Sequence, residues 1–480
     1  MSRLIVISNR VNVPAAREKA QAGGLATALA ATLREYRGVW FGWSGQTAPT
    51  FTGQISMQKR AGVTTALVDL DEADVLEYYN GYANKTLWPL FHYRIDLTAY
   101  DRSFDQGYQR VNARFAETVR PMIDADDLVW VHDYHLIPLG RELRRRGVAG
   151  RIGFFLHIPW PARQLLVTLP RHAALVEALF AYDLIGFHTE EWLDAFVSYV
   201  VRDAGGTILP DGRLSCFGRT VRAAAFPIGI DAKEFRAMPD SGDGRRSYQR
   251  AEQSLLGRNM ILGVDRLDYS KGLEERLLAF EHLLFQHPDL LSKVFMLQIA
   301  TPSREDVESY QVLRAKLDAL SGRINGRFAE VDWVPVRYVN QTYRRPELAG
   351  IFRAASVGLV TPLRDGMNLI AKEYIAAQAE EDPGVLILSR FAGAAAQLKD
   401  ALIVNPFSRE EVSDALCRAL KMGLDERRRR FEPLLHNVMT EDVTWWRDAF
   451  VAGLRASDPE QDTGSDRARV GVQRSGTAGC

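Results

Sequence analysis

Short, nearly continuous apolar runs recur along the chain, each followed by a stretch whose apolar positions repeat at three- and four-residue intervals. A run without a polar face suits a parallel strand covered by helices on both sides. The pattern predicts strands at Leu4–Ser8, Val39–Trp43, Leu128–His132, Ile152–His157, Leu184–His188 and Ala224–Ile228. A second set follows at Met260–Val264, Phe295–Ile299, Val357–Thr361, Val385–Leu388 and Leu402–Val404. Strands alternating with helices imply doubly wound α/β units. The first series closes at PIGID, near Pro227–Asp231, and the second opens at MILGVDRLD after the polar stretch Asp240–Gln253. The expected fold is therefore α/β with two Rossmann-like domains, residues 1–230 and 231–440. A deep cleft between them would take ligands at the carboxyl ends of the strands. A last helix over 441–456 carries Trp446, Phe450 and Leu454 on one stripe and is expected to pack back on the N-terminal domain. Residues 457–480 show no periodicity and are expected to form a disordered tail.

Composition narrows the picture mainly by exclusion. A chain of 480 residues exceeds one compact core, in keeping with two domains. Sixty Lys+Arg balance 60 Asp+Glu, which speaks against nucleic acid or a membrane surface as partner. Any anion site must then be a local cluster of cations. Cys216, Cys417 and Cys480 form neither a disulfide framework nor a metal motif, as in a reducing compartment. The opening run MSRLIVISNR is too short for a signal-peptide core, and no apolar stretch is long enough to span a bilayer. A cytoplasmic protein is expected.

The candidate chemistry lies at strand ends. LIVISNR ends in Arg10, and the AGGLA that follows brings Gly23 and Gly24, where a backbone can approach a ligand closely ahead of a helix N-terminus. No G-x-G-x-x-G is present, against a dinucleotide-dependent dehydrogenase. VDRLDYSKGLEER places Arg266 and Lys271 in a tight loop before a helix, where two cations can neutralise a departing diphosphate. In TPLRDGMNLIAKEY, Asp365 and Gly366 precede a helix expected from Met367. The amides of Met367, Asn368 and Leu369 can hold phosphates and Glu373 can accept ribose hydroxyls. Asp365 is left for hydroxyls of a donor sugar. A carboxylate pair for glycoside hydrolysis is the competing reading. Asp69-x-Asp71 has the look of a phosphoaspartyl phosphatase motif, but the acids that follow read better as a helix start. His132, His135 and His157 lack a fourth ligand at familiar zinc spacing, so no metal and no cofactor is expected.

Taken in order, SNR, AGGLA, WFGWSG, EYYN, LWPLFHY, VWVHDYHL, FFLHIPWP, VDRLDYSKGL, TPSRED, GRINGRF and TPLRDGMNLIAKEY resemble the trehalose-6-phosphate synthase family of retaining GT-B glycosyltransferases. The resemblance implies transfer of glucose from a nucleotide-glucose, with UDP-glucose the expected donor and GDP- or ADP-glucose open. The acceptor would be glucose 6-phosphate and the product α,α-trehalose 6-phosphate. It implies acceptor binding by Arg10, Tyr79, Trp88, Asp133 and Arg304. Nucleotide-sugar binding would fall to Gly23, Gly24, His157, Arg266, Lys271, Asp365, Gly366, Met367, Asn368, Leu369 and Glu373. The catalytic set would be Asp133, His157, Arg266 and Lys271. A homo-oligomer, dimer or tetramer, is also implied. HIPWPARQ departs from the family pattern, and Trp160 is expected to border the donor glucose. Related readings are a glycosyltransferase with another acceptor, of the glucosylglycerol-phosphate synthase or pseudo-glycosyltransferase type, and a non-catalytic sugar-phosphate sensor. Removing the chain after Ala456 should leave glucosyl transfer unchanged; a large loss of activity in the truncated protein would contradict the assignment of that segment.

Overall fold

The computed structural model describes residues 3–11, 38–60, 63–303 and 307–457. Among them ten strands form one sheet. They are β1 (Leu4–Arg10), β2 (Val39–Ala48), β3 (Ser56–Arg60), β4 (Val63–Asp71), β5 (Leu128–His132), β6 (Ile152–Phe155), β7 (Leu184–Phe187), β8 (Thr207–Ile208), β9 (Leu214–Cys216) and β10 (Arg219–Ala225). Their spatial order is β3-β4-β2-β1-β5-β6-β7-β10-β9-β8. Neighbours run parallel from β4 through to β10, and antiparallel strands close both edges. Six more form a second, wholly parallel sheet: β11 (Asn259–Arg266), β12 (Val294–Thr301), β13 (Val336–Val339), β14 (Val357–Val360), β15 (Val385–Ser389) and β16 (Leu402–Val404). Their order is β13-β12-β11-β14-β15-β16. In both sheets the strand order reverses beside the first strand, at β1/β5 and at β11/β14, and these reversals open the crevices in which α/β proteins bind ligands.

Each predicted strand has its counterpart, with some ends shifted. The run at Ala224–Ile228 belongs to β10, which stops at Ala225, two residues before Pro227. The edge strands β3, β8 and β13 and the short β9 gave too little apolar signal to be predicted, and β4 was masked by its acids. Its sequence VTTALVDLD runs into a helical segment capped by Asp71, whose carboxylate accepts the Asp74 amide at 2.8 Å. Asp71 also pairs with Arg114 at 2.8 Å, so the Asp69-x-Asp71 pattern serves a cap and an ion pair.

The chain passes from one sheet to the other near Gly229 and returns near Asp442. The two passages touch. A Cβ on Gly229 would lie 2.3 Å from the Glu441 carbonyl oxygen, and the Val443 amide donates to the Ile230 carbonyl at 3.0 Å. The helix Leu424–Thr440 packs on Leu369–Ala377 of the second sheet's layer, whereas Val443–Ala456 crosses back to the first. Asp442 caps this last helix by accepting the Trp445 amide at 2.9 Å. Its apolar stripe then inserts Phe450 flat against Trp130, with centroids 4.5 Å apart, and edge-on to Phe155 and Phe226. Gly153 and Gly186 make room for that ring, since a Cβ on either would come within 3 Å of it. Phe450 is wholly buried, so Phe450→Ala should lower unfolding stability by about 3–5 kcal/mol. Denaturant unfolding of the variant checks this; an unchanged midpoint would show that the helix is not an integral part of the N-terminal layer.

Candidate functional site

At the second sheet's reversal, β11 ends in Arg266 and β14 runs into Thr361 and the loop carrying Asp365. The carboxylate of Asp268 accepts the Ser270 amide at 2.9 Å, shaping the single turn Tyr269–Lys271. Gly272 ends that turn at φ 63°, and a Cβ there would sit 2.2 Å from the Thr361 carbonyl oxygen. The turn aims the Lys271 ammonium at Asp365, with which it forms an ion pair. Burial alone pushes the Asp365 carboxyl up, but Lys271 beside it, with help from His92 and Arg266, holds it below the ordinary range. Beneath this pair the fully buried Arg276 donates to Asp265 at 2.8 Å, Gln298 at 2.9 Å and Thr361 at 3.0 Å. Those bonds tie together the ends of β11, β12 and β14. The Arg266 guanidinium lies over the Trp88 ring, 5.4 Å from its centroid, and so reaches across to the other sheet's layer.

The next helix, Leu369–Ala377, begins two residues later than the sequence suggested. Asn368 takes a left-handed φ of 74°, accepts the Ala371 amide at 3.4 Å and donates to Asp365 at 3.1 Å, so cap and loop are one unit. Met367 is buried beside it. Further along, burial raises the Glu373 carboxyl to about 7, against a weak pull from Arg345, 3.9 Å away. The neighbouring Lys372 is buried too and is pushed down to about 7 by that burial. It donates to the Ile228 carbonyl at 2.8 Å and to Gln397 at 2.7 Å, anchoring the helix at the chain's passage between sheets.

The first sheet supplies the other wall. Asp133 follows β5 at φ 76°, an uncommon conformation for a residue with a side chain. It is held there by its amide, which donates to the Phe155 carbonyl at 2.7 Å, while its carboxylate accepts the His157 amide at 3.2 Å. His157 Nε2 lies 3.0 Å from His132 Nδ1. Burial, and then His188, hold His157 well below the ordinary histidine range, and burial pushes His188 down to about 3. At the ends of β1, β2 and β5 stands a polar–aromatic group. Arg10 lies 5.6 Å from the Trp43 centroid, Tyr79 meets Trp43 edge-on at 5.4 Å and stacks on His135 at 6.0 Å. Trp88 packs at 4.1 Å on His92.

The two walls meet in backbone contact. A Cβ on Gly366 would lie 2.1 Å from the His157 carbonyl oxygen. Trp192 Nε1 donates to the Gly366 carbonyl at 3.4 Å, and Arg364 is stacked 3.7 Å from the Tyr93 ring while pairing with Glu191 at 3.1 Å. Beside this contact opens a cleft of about 590 Å³, lined by His157, Arg266, Lys271, Asp365, Met367, Asn368, Leu369 and Glu373 together with His188, Tyr343 and Arg345. A second hollow of about 660 Å³, with Arg120, Asp126 and Leu128 in its wall, lies at the start of β5, the end of the strand away from these residues.

Of the predicted residues, Arg10, Tyr79 and Asp133 sit at the same strand ends but outside that cleft lining, and Trp88 joins it through Arg266. Gly23, Gly24 and Arg304 lie outside the described residues. Trp160 does not border the cleft: it is fully buried among Phe91, Phe187 and Phe196, which the HIPWPARQ departure therefore serves as core. His188 was missed although it follows the strand LIGF, a position that could have been read. Arg345 and Tyr343 carry no sequence signal, because they enter from a loop and helix start remote from the other motifs. Among the described residues no group of three His, Cys, Asp or Glu side chains is placed to hold a metal.

A family model, glycosyltransferase family 20, matches residues 2–456. The chain belongs to glycosyltransferase family 20. A trehalose-6-phosphate synthase of Sinorhizobium fredii is 45% identical over 459 residues, covering 95% of this chain and 99% of that protein. Among solved structures, a UDP-forming α,α-trehalose-phosphate synthase of Burkholderia xenovorans in complex with glucose-6-phosphate is 49% identical, with a TM-score of 0.90 over 95% of this chain and 100% of the other. An Escherichia coli protein of the family bound to UDP-2-fluoro glucose is 44% identical, with a TM-score of 0.91 over 96% of this chain and 100% of the other. The two-sheet arrangement is thus the GT-B architecture expected of a family-20 chain.

The Glu373 carboxyl sets a pH dependence for this family-20 fold. In the folded state it keeps its proton up to about 7, whereas its ordinary value is 4.5. The unfolded chain releases the proton first, so the contribution of this carboxyl to stability should fall as pH rises through that interval and stay constant above it. Glu373→Gln should flatten this decline in urea unfolding. An unaltered slope in the variant would contradict the burial of an uncharged carboxyl.

Proposed function

We propose that the protein is a retaining glucosyltransferase. It transfers glucose from a nucleotide-glucose, UDP-glucose first, to glucose 6-phosphate and forms α,α-trehalose 6-phosphate for trehalose biosynthesis. The supporting observation is that Arg266 and Lys271, the capped loop Asp365–Asn368 and His157 line one cleft between the two sheets. In the reaction the bond between the anomeric carbon and the diphosphate oxygen breaks, and the acceptor hydroxyl oxygen takes its place on the same face. The hydroxyl proton passes to an oxygen of the leaving diphosphate. Arg266 and Lys271 stabilise the charge that grows there, and the amides of Met367, Asn368 and Leu369 add to it. Lys271 is held by Asp365 in the free protein, so an incoming diphosphate competes for a cation already in position. Asp365 and Glu373 take hydroxyls of the donor sugar and ribose. His157 orients the donor glucose, Asp133 orients the acceptor, and Tyr79 and Trp88 offer it aromatic faces. Gly23 and Gly24 bring backbone close to the nucleotide sugar, and Arg10 and Arg304 bind the acceptor phosphate.

With two protein cations at the leaving group, the reading needs no metal or cofactor. A dimeric or tetrameric, cytoplasmic enzyme belongs to the same proposal; no helix among the described residues is long and apolar enough to cross a membrane. Incubation with glucose 6-phosphate and each of UDP-, GDP- and ADP-glucose should yield a non-reducing disaccharide phosphate from one donor, undiminished by a chelator. Lys271→Ala should lower turnover by roughly 10²–10³-fold. No product from any donor, with glucose 6-phosphate still bound, would overturn the transferase reading in favour of a sensor.

A further inference from the structure

Behind His157, away from the cleft, stands a second histidine. His132 is the last residue of β5 and has no exposed surface. Its Nδ1 lies 3.0 Å from His157 Nε2, and the ring centroids are 5.3 Å apart with planes only 20° from parallel. That separation describes two rings meeting end-on through a hydrogen bond, not lying face to face. We propose that His132 is a positioning residue: its Nδ1–H donates to His157 Nε2 and fixes His157 as the tautomer that carries its proton on Nδ1.

Two neutral imidazoles share one hydrogen bond in only two ways, and the surroundings of the far side of His132 distinguish them. Burial keeps both rings uncharged. His132 Nε2 is buried and meets no partner among the described residues. Besides His157, the His132 ring packs against the indoles of Trp130 and Trp446, with centroids 4.5 and 6.3 Å away. Both indole N–H groups are themselves buried donors without an acceptor among the described residues. If His157 donated, the His132 proton would sit on Nε2 as a buried N–H without an acceptor, a fault rarer in folded proteins than an under-used acceptor. If His132 donates, its proton is used in the bond and Nε2 is left as a buried acceptor. His157 is fixed independently from its backbone, where its amide donates to Asp133. Its remaining ring nitrogen therefore brings a donor to the cleft that His157 lines. Such a group recognises an oxygen of a sugar hydroxyl and has no lone pair free to abstract a proton. This consequence for turnover rests on the glucosyltransferase reading, whereas the tautomer is a property of the free protein.

Long-range proton–nitrogen NMR correlation on the 15N-histidine-labelled full chain reads the tautomer directly. Protonation of His157 at Nδ1 is expected, and protonation at Nε2 would overturn the proposal. His132→Asn keeps an amide N–H where Nδ1 stood, whereas His132→Leu keeps bulk and removes the donor. Turnover should fall roughly 10- to 100-fold in His132→Leu and recover to within about threefold of the wild type in His132→Asn. Equal loss in both variants at equal thermal stability would show that His132 only fills space. Should His132→Leu fail to fold, the wild-type spectrum and the Asn variant decide the matter. A wild-type protein that transfers no glucose but shows the Nδ1 tautomer would sink the functional reading and leave the pairing of the two histidines intact.

Discussion

The backbone contact between Gly366 and His157 is the constraint on which the rest of the site depends. Each residue belongs to a different sheet's layer, and only a residue without Cβ lets the two chains approach as closely as they do. The contact is reinforced on both sides. Trp192 donates to the carbonyl of Gly366, and Arg364, two residues before it, is stacked on Tyr93. Because Gly366 lies between Asp365 and the Asn368 cap, fixing it against the first sheet fixes the carboxylate that holds Lys271 and the start of the helix that follows. A cleft between two domains would otherwise have walls free to drift. Here one wall's loop is seated on the other's strand end.

The electrostatics follow from that geometry. Several charges of the site are balanced within the fold before any ligand arrives. Asp265 is met by Arg276, Asp365 by Lys271, and the Arg266 guanidinium by the face of Trp88. A buried charge without a partner would cost far more than these pairs do. Glu373 and Lys372, whose partners are weaker or neutral, are instead driven toward their uncharged forms. The anchored Lys372 also links the helix of the donor wall to the passage at Ile228, where the chain changes sheets. Positions on that helix and the geometry of the passage are thus mechanically joined.

Much of the frame was legible because buried parallel strands announce themselves by unbroken apolar runs. β11 and β14 are of that kind, and Arg266 and Asp365 could be placed at or just beyond their ends from sequence alone. β4 and β13 could not be read, since an edge strand or one rich in acids has no such run. The location of Trp160 was misjudged for a related reason. A large aromatic near a motif looks the same in sequence whether it faces a ligand or three phenylalanines, and only packing separates the two. Gly366 was recognised through its motif, but the reason for glycine there, an approach by the other domain's backbone, is a property of tertiary structure. The pairing of His132 with His157 is likewise invisible along the chain, where the two are 25 residues apart.

The most direct test of this account is the turnover of Gly366→Ala with UDP-glucose and glucose 6-phosphate, in protein shown to retain its native unfolding transition. A methyl group there must push the donor loop off His157, and a displacement of about 1 Å should lower kcat on the order of 10²-fold. Wild-type turnover in the folded variant would contradict the claim that contact between the two walls positions the chemistry.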